Sequence, residues 1–172
     1  MKNSIQLLSL FLLFLTSSCV INDDDIHDHD FIDNDTIGAT YELETNFSAQ
    51  ENSVRFTFPN NIVKSDVVLV YRLEAQDNGL DVWEPLPTAT IFFDDGSTLI
   101  YRYNFTLGDV DIILENDNID ELSAEYTNRQ VFRIVVVPAN FANSNSVNLK
   151  NLHSVLSALK INENNISKVS LD

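Results

Sequence analysis

Short segments in which apolar and polar residues alternate recur through most of the chain. Residues 40–47 (TYELETNF) and 98–105 (TLIYRYNF) place an apolar or aromatic side chain at almost every second position. Successive side chains of a β-strand point to opposite faces, so this period indicates strands with one buried face. Residues 131–137 (VFRIVVV) are instead almost wholly apolar. They predict a central strand that is covered on both faces.

Turn residues separate these segments at short intervals. Asp77-Asn78-Gly79 is typical of a hairpin tip, and residues 94–97 (DDGS) predict a second turn. We therefore expect residues 36–172 to form a mainly β domain, an immunoglobulin-like or jelly-roll-type β-sandwich of about seven to nine strands. The expected strands are 40–47, 54–58, 67–74, a short one around Val82 and Trp83, 90–93, 98–105, 110–114, 131–137 and a closing strand at 166–171.

One segment near the C-terminus follows a helical period instead. It predicts an amphipathic helix of about twelve residues, capped by Asn148 or Ser146. A helix this short is marginally stable alone, so its leucine face should pack on the sandwich and leave His153 at the surface. The leucines concerned are Leu149, Leu152, Leu156 and Leu159.

Residues 1–18 predict a lipoprotein signal peptide. Lys2 precedes the apolar segment 5–15, which at 1.5 Å per residue spans only about half of a ~30 Å hydrocarbon core. Residues 16–18 (TSS) then lead to Cys19, the only cysteine, and resemble a bacterial lipobox, although Thr16 stands where a leucine is usual. We expect Cys19 to be lipidated and to anchor the chain in a membrane. The alternative is an ordinary secretory signal with an unrelated cysteine.

Residues 19–35 predict a flexible acidic tether, since residues 20–35 hold seven aspartates and no basic residue. The cluster Asp23, Asp24 and Asp25 resembles the surface-export signal of Bacteroidota lipoproteins. That resemblance implies the outer face of the outer membrane; the alternative is its periplasmic face. Thr36, between Asp35 and Ile37, resembles a short O-glycosylation motif of the same bacteria.

Composition excludes several classes of function. The chain has 26 acidic and 10 basic residues and a net charge of −16, which argues against nucleic-acid binding, because phosphate contacts need clustered Lys and Arg. A single cysteine excludes a disulfide framework and a cysteine zinc site. His153 is the only histidine of the predicted domain, and neither a Gly-x-Ser-x-Gly nor a His-Glu-x-x-His motif occurs. We therefore expect no enzyme activity and no cofactor.

Three acidic stretches carry side chains that can bind metal ions, but none is favoured as a specific metal site. Residues 27–30 (HDHD) offer two imidazoles, but a flexible tether lacks the fixed geometry that a specific site needs. Residues 33–44 match several EF-hand positions, yet Ile37 stands where an oxygen ligand is required. Residues 115–121 (ENDNIDE) are the densest oxygen cluster, for which a solvated loop is the simpler interpretation.

Aromatic residues leave two interpretations open. Trp83 lies beside Pro85 and Pro87, and Tyr101 and Tyr103 occupy a nearby strand. Exposed together, the three rings would form a platform of the kind that binds carbohydrate. The alternative is that Trp83 closes the sandwich edge and the tyrosine rings belong to the core.

Four stretches of the domain resemble small uncharacterised lipoproteins of Bacteroidota (flavobacterial type). They are residues 66–73 (DVVLVYRL), 81–87 (DVWEPLP), 92–96 (FFDDG) and 131–139 (VFRIVVVPA). The resemblance implies a surface lipoprotein but no activity or site. We therefore expect a lipid-anchored outer-membrane protein with a non-catalytic structural or protein-interaction domain and an unidentified protein or glycan partner. The alternative is a carbohydrate-binding module, and a hydrolase is less favoured.

Overall fold

The fold is that of a two-sheet β-sandwich with nine strands, as the sequence predicts. In the computed structural model the described residues are 38–142 and 147–171, all within the unit Asp33–Asp172. The predicted signal peptide, Cys19, the acidic tether with Asp23, Asp24 and Asp25, and Thr36 lie outside the described residues.

Nine strands and three short α-helices follow one another within the described residues. The strands are β1 (Thr40–Thr45), β2 (Ser53–Thr57), β3 (Val67–Asp77), β4 (Leu80–Pro85), β5 (Ile91–Phe92), β6 (Thr98–Phe105), β7 (Asp109–Glu115), β8 (Gln130–Val137) and β9 (Ser167–Leu171). The helices are α1 (Ala124–Thr127), α2 (Ala139–Ala142) and α3 (Leu152–Ala158), with 3₁₀ turns at Ile119–Glu121 and Glu163–Asn165.

The first sheet has five strands in the order β4-β3-β8-β1-β9, and the second has four in the order β2-β7-β6-β5. All pairings are antiparallel except that of β1 with β9, which is parallel. Strand β8 lies at the centre of the first sheet, and both of its faces are covered, as expected. Phe132 and Ile134 face the other sheet, whereas Val135 and Val137 face a second apolar cluster that α3 completes.

The main core lies between the two sheets. Leu43, Tyr101 and Phe132 are fully buried there, and Phe47 packs edge-on against both aromatic rings with centroids 6.1 Å away. This core follows directly from the alternation in the sequence, because the apolar positions of β1 and β6 face inward.

The tip of the β3–β4 hairpin is formed by Asn78 and Gly79, both with positive φ. Two such residues in succession match the twist of the flanking strands, which explains why an Asn-Gly pair stands there. The turn expected at Asp77-Asn78-Gly79 is therefore confirmed, and it carries Leu80 out to 73% exposure.

Helix α3 packs on the outer face of the first sheet through Leu152, Val155 and Leu156. It is shorter than expected. Asn151, rather than Asn148, caps it by accepting a hydrogen bond from the Ser154 N–H at 2.8 Å. The helix ends before Lys160, whose φ of 57° places it in the left-handed region at the C-terminus. No helix within residues 38–142 and 147–171 is long and apolar enough to cross a membrane.

Candidate functional site

A groove of about 430 Å³ lies on the outer face of the five-stranded sheet, and we call it the Trp83 groove. The β3–β4 hairpin tip forms one wall, and the start of α3 forms the other. The lining residues that matter for its chemistry are Leu80, Asp81, Trp83, Arg133, His153 and Glu163. Its volume falls in the range of small-molecule sites in proteins, about 300–1,000 Å³.

Arg133 lies at the centre of the contacts behind this groove. Its guanidinium carbon is 4.3 Å from the centroid of the Trp83 ring, within the range of a cation–π contact. Its Nε donates to Glu42 Oε2 at 3.1 Å, and its Nη1 donates to Glu163 Oε2 at 2.7 Å. The indole therefore rests on a cation that two carboxylates hold in place.

Burial of this cation is possible because its charge is compensated. The Arg133 side chain is only 8% exposed, and that of Glu42 is 14% exposed. Burial raises the pKa of Glu42, but hydrogen bonds from Lys168 and Arg133 outweigh that effect, and the net result is a pKa below the usual value. The group thus stays charged at neutral pH and joins β1, β8 and β9 by ion pairs.

Two of the remaining lining residues, Asp81 and Glu163, carry carboxylates. Among the described contacts, Asp81 uses only Oδ1, which accepts from Gln76 Nε2, and Glu163 uses only Oε2. His153 is exposed at the start of α3, where its imidazole borders the groove. The groove therefore combines a half-buried indole, an exposed leucine and two carboxylates that each have a second oxygen facing no described donor.

The aromatic platform expected from Trp83, Tyr101 and Tyr103 does not form. Tyr101 is fully buried between the sheets, and Tyr103 is half-buried with its hydroxyl donating to the Val68 carbonyl at 2.8 Å. Trp83 packs in the other apolar cluster, on the opposite face of the first sheet. The platform prediction is wrong because the alternation that puts β6 aromatics on one face turns that face inward. The alternative placed both tyrosine rings in the core; Tyr101 lies in it, and Tyr103 packs against it.

Tyr101 belongs to a buried polar network. Its ring lies under the Arg72 guanidinium, with the arginine carbon 4.4 Å from the ring centroid. Arg72 donates to Gln130 Oε1 at 3.0 Å and to Glu84 Oε1 at 2.8 Å. Burial raises the pKa of the Tyr101 phenol to about 12, against the opposing effect of Arg72. The phenol stays protonated and donates to the Tyr126 carbonyl, so we assign this network to stability.

The acidic loop at 115–121 is held by turn and ion-pair contacts. Glu115 pairs with Arg102, Asn116 accepts from the Asn118 N–H at 2.7 Å, and Asp120 accepts from the Ala49 N–H at 3.3 Å. Within the described part of the chain, no group of three His, Cys, Asp or Glu side chains is placed to hold a metal ion. The loop borders a second groove of about 360 Å³ with Phe93 and Tyr126.

The sequence pattern indicates Trp83 as a candidate site residue but does not indicate Arg133 or Glu163. Arg133 is the only charged residue in the apolar segment 131–137. This position indicates a buried ion pair, because a buried arginine requires carboxylate partners. Those partners lie 91 and 30 residues away along the chain, so only the fold identifies them.

No family model matches the chain, and no curated protein and no solved structure matches it either.

Proposed function

We propose that this chain is a lipid-anchored outer-membrane protein whose β-sandwich is displayed at the cell surface as a non-catalytic interaction domain. The observation that carries the proposal is the position of Cys19. The only cysteine of the chain stands directly after an apolar segment and three small residues, and an acidic tether follows it. The resemblance of residues 66–73 and 131–139 to Bacteroidota lipoproteins supports the same conclusion.

The domain itself supports a binding role. On its described surface, the Trp83 groove holds Arg133, which is fixed by two carboxylates and an indole. Such fixed ion pairs favour the holding of a ligand, because the groups are already oriented before the ligand arrives. The partner is a protein or a glycan that reaches the domain from outside the membrane.

Cys19→Ser tests the anchor. We expect the variant to leave the membrane fraction, because the thiol that carries the lipid is gone. Ser17→Ala, which keeps the cysteine, is the control and should stay membrane-bound. Fractionation with immunodetection is the measurement, and a Cys19→Ser variant that still sediments with membranes refutes lipid anchoring.

Surface display has its own test. Replacing Asp23, Asp24 and Asp25 with Ala should reduce digestion of the domain by protease added to intact cells. Replacing Asp28, Asp30 and Asp33 with Ala removes the same charge further along the tether and should leave digestion unchanged. Equal digestion of both triple variants and the parent would mean that the cluster is not an export signal.

A further inference from the structure

We infer that the Trp83 groove is a saccharide-binding site for a neutral or amino sugar of one or two rings. This inference rests on the proposed function of the domain as a non-catalytic interaction domain. It differs from the platform expected from sequence, because the binding surface is one indole framed by charged side chains.

The first argument is the combination of surfaces. A sugar ring has an apolar face of C–H groups and a rim of hydroxyls, so it needs a flat apolar surface beside hydrogen-bonding groups. In the groove, the half-buried Trp83 ring and the exposed Leu80 side chain can contact the apolar face of the sugar. Asp81 and Glu163 can accept hydrogen bonds from the sugar hydroxyls, because an ionised carboxylate is an acceptor and a hydroxyl can donate.

The second argument is rigidity. The Trp83 ring is stacked on Arg133, and Arg133 is held by Glu42 and Glu163 at 3.1 and 2.7 Å. Strand β4 also fixes the Trp83 backbone through its pairing with Leu73. A ring held this way loses little side-chain entropy when a ligand stacks on it, which favours the binding of a small polar ligand.

The third argument is charge. The positive charge of Arg133 is already shared with Glu42 and Glu163, and Asp81 adds a further negative charge to the lining. Lys168 also pairs with Glu42, so the carboxylate of the lining that has no cationic partner among the described ion pairs is Asp81, and it would repel an anionic sugar. The groove therefore selects against uronic, sulfated and phosphorylated sugars and accepts neutral or amino sugars.

The size of the groove favours a saccharide over an extended peptide. The hairpin tip and the start of α3 border an open groove of about 430 Å³, which fits one or two sugar rings. A peptide would instead run along the open edge of β4, the outermost strand of its sheet, by main-chain pairing. That mode does not need the carboxylates of the groove.

Trp83 offers a direct experiment, because it is the only tryptophan of the chain. The mature protein is titrated with cellobiose, maltose, lactose, chitobiose and its de-acetylated form, and with digalacturonate as the anionic probe, while tryptophan fluorescence is recorded. We expect a saturable change with at least one neutral or amino disaccharide and none with digalacturonate. Calorimetry repeats the titration for variants that lack the indole.

Four variants locate the site. Asp81→Asn and Glu163→Gln keep the reporter and should each weaken binding about tenfold, as expected for the loss of a charged hydrogen-bond acceptor. Trp83→Ala should abolish it. Phe92→Ala, which removes a 77% exposed ring on the other sheet, is the matched control and should bind normally.

Three outcomes overturn the inference: no response to any of these sugars by the folded protein, binding that Asp81→Asn and Glu163→Gln leave unchanged, or stronger binding of digalacturonate. None of these outcomes affects the Cys19→Ser fractionation, so failure of the sugar site and failure of the proposed anchoring are distinguishable.

Discussion

Two buried arginines define the chemistry of this domain at the scale of single residues. Arg72 and Arg133 lie on opposite faces of the five-stranded sheet, and each places its guanidinium over an aromatic ring, 4.4 Å from Tyr101 and 4.3 Å from Trp83. Arginine suits both positions because its planar group stacks on a ring while its N–H groups bond carboxylates in the same plane. The Arg72–Tyr101 pair stabilises the interior between the sheets, and the Arg133–Trp83 pair forms part of the Trp83 groove.

Glu42→Gln measures how much the groove-side ion pairs stabilise the fold. At neutral pH we expect a loss of about 1–2 kcal/mol, less than for a fully broken buried pair, because Glu163 still compensates Arg133. The pKa of Glu42 is lower in the folded protein than its ordinary value of 4.5. The ion pairs therefore stabilise the fold fully at pH values above 4.5, and this stabilisation disappears as the pH falls through the lowered pKa of the folded state.

Urea unfolding of parent and variant from neutral pH to about pH 3 measures this difference. The two curves should converge at the acidic end. Glu44→Gln is the control, since Glu44 pairs with the 81% exposed Arg129 and should cost less than about 1 kcal/mol at any pH. A Glu42→Gln deficit that is constant across the pH range would contradict the assignment.

The sequence reveals these residues only in part. An arginine inside VVLVYRLE and another inside VFRIVVV indicate buried cations, yet nothing local names Glu84, Glu42 or Glu163 as the partners. Trp83 is recognisable as a candidate ligand contact, but Tyr101 and Tyr103 are not its neighbours. Local alternation shows that a strand has an apolar face. It does not specify whether that face packs between the two sheets or against another element, because this depends on how the sheets stack.

At the scale of elements, the strands were predictable because each carries its own alternation and ends at turn residues. The helix was predicted in the right place but too long. The spacing of Leu149 and Leu159 extends the pattern, whereas the Asn151 cap and the left-handed Lys160 set the actual ends. The parallel pairing of β9 with β1 was not predictable, since it depends on the path that the chain takes after α3.

Leu156→Ala tests whether α3 is an integral part of the fold. The side chain is 2% exposed and packs with Val135 and Tyr71 in the outer cluster. We expect a loss of about 3 kcal/mol and a midpoint of thermal unfolding lower by roughly 10 °C. Ser157→Ala on the exposed side of the same helix should change stability by less than about 0.5 kcal/mol. Equal midpoints for the two variants would show that α3 is only loosely attached.

At the scale of the whole molecule, charge is the dominant property. Residues 36–172 hold nineteen acidic and nine basic residues, a net charge of −10, on a domain whose exposed ion pairs are individually weak. We expect the self-repulsion of like charges to oppose folding more than these ion pairs support it. The same charge keeps separate copies of the domain apart.

Salt should therefore stabilise the protein. Raising NaCl from about 10 mM to 0.5 M shortens the screening length from ~30 Å to a few Å and weakens the repulsion. We expect the thermal midpoint to rise by a few °C in scanning calorimetry. Potassium glutamate at equal ionic strength serves as the control for effects of the anion. A midpoint that falls with both salts would show that the ion pairs outweigh the repulsion.

The position of β1 has a mechanical consequence. The chain enters β1 at Thr40, and that strand lies between antiparallel β8 and parallel β9 rather than at an edge. In the proposed lipid-anchored protein, a pull on the chain ahead of Thr40 is a force along β1, and it loads two ladders of backbone hydrogen bonds together, in shear. Ion pairs from Glu42 to Arg133 and Lys168 also connect β1 to β8 and to β9. Strand β1 therefore resists extraction from the sheet through hydrogen bonds on both of its sides.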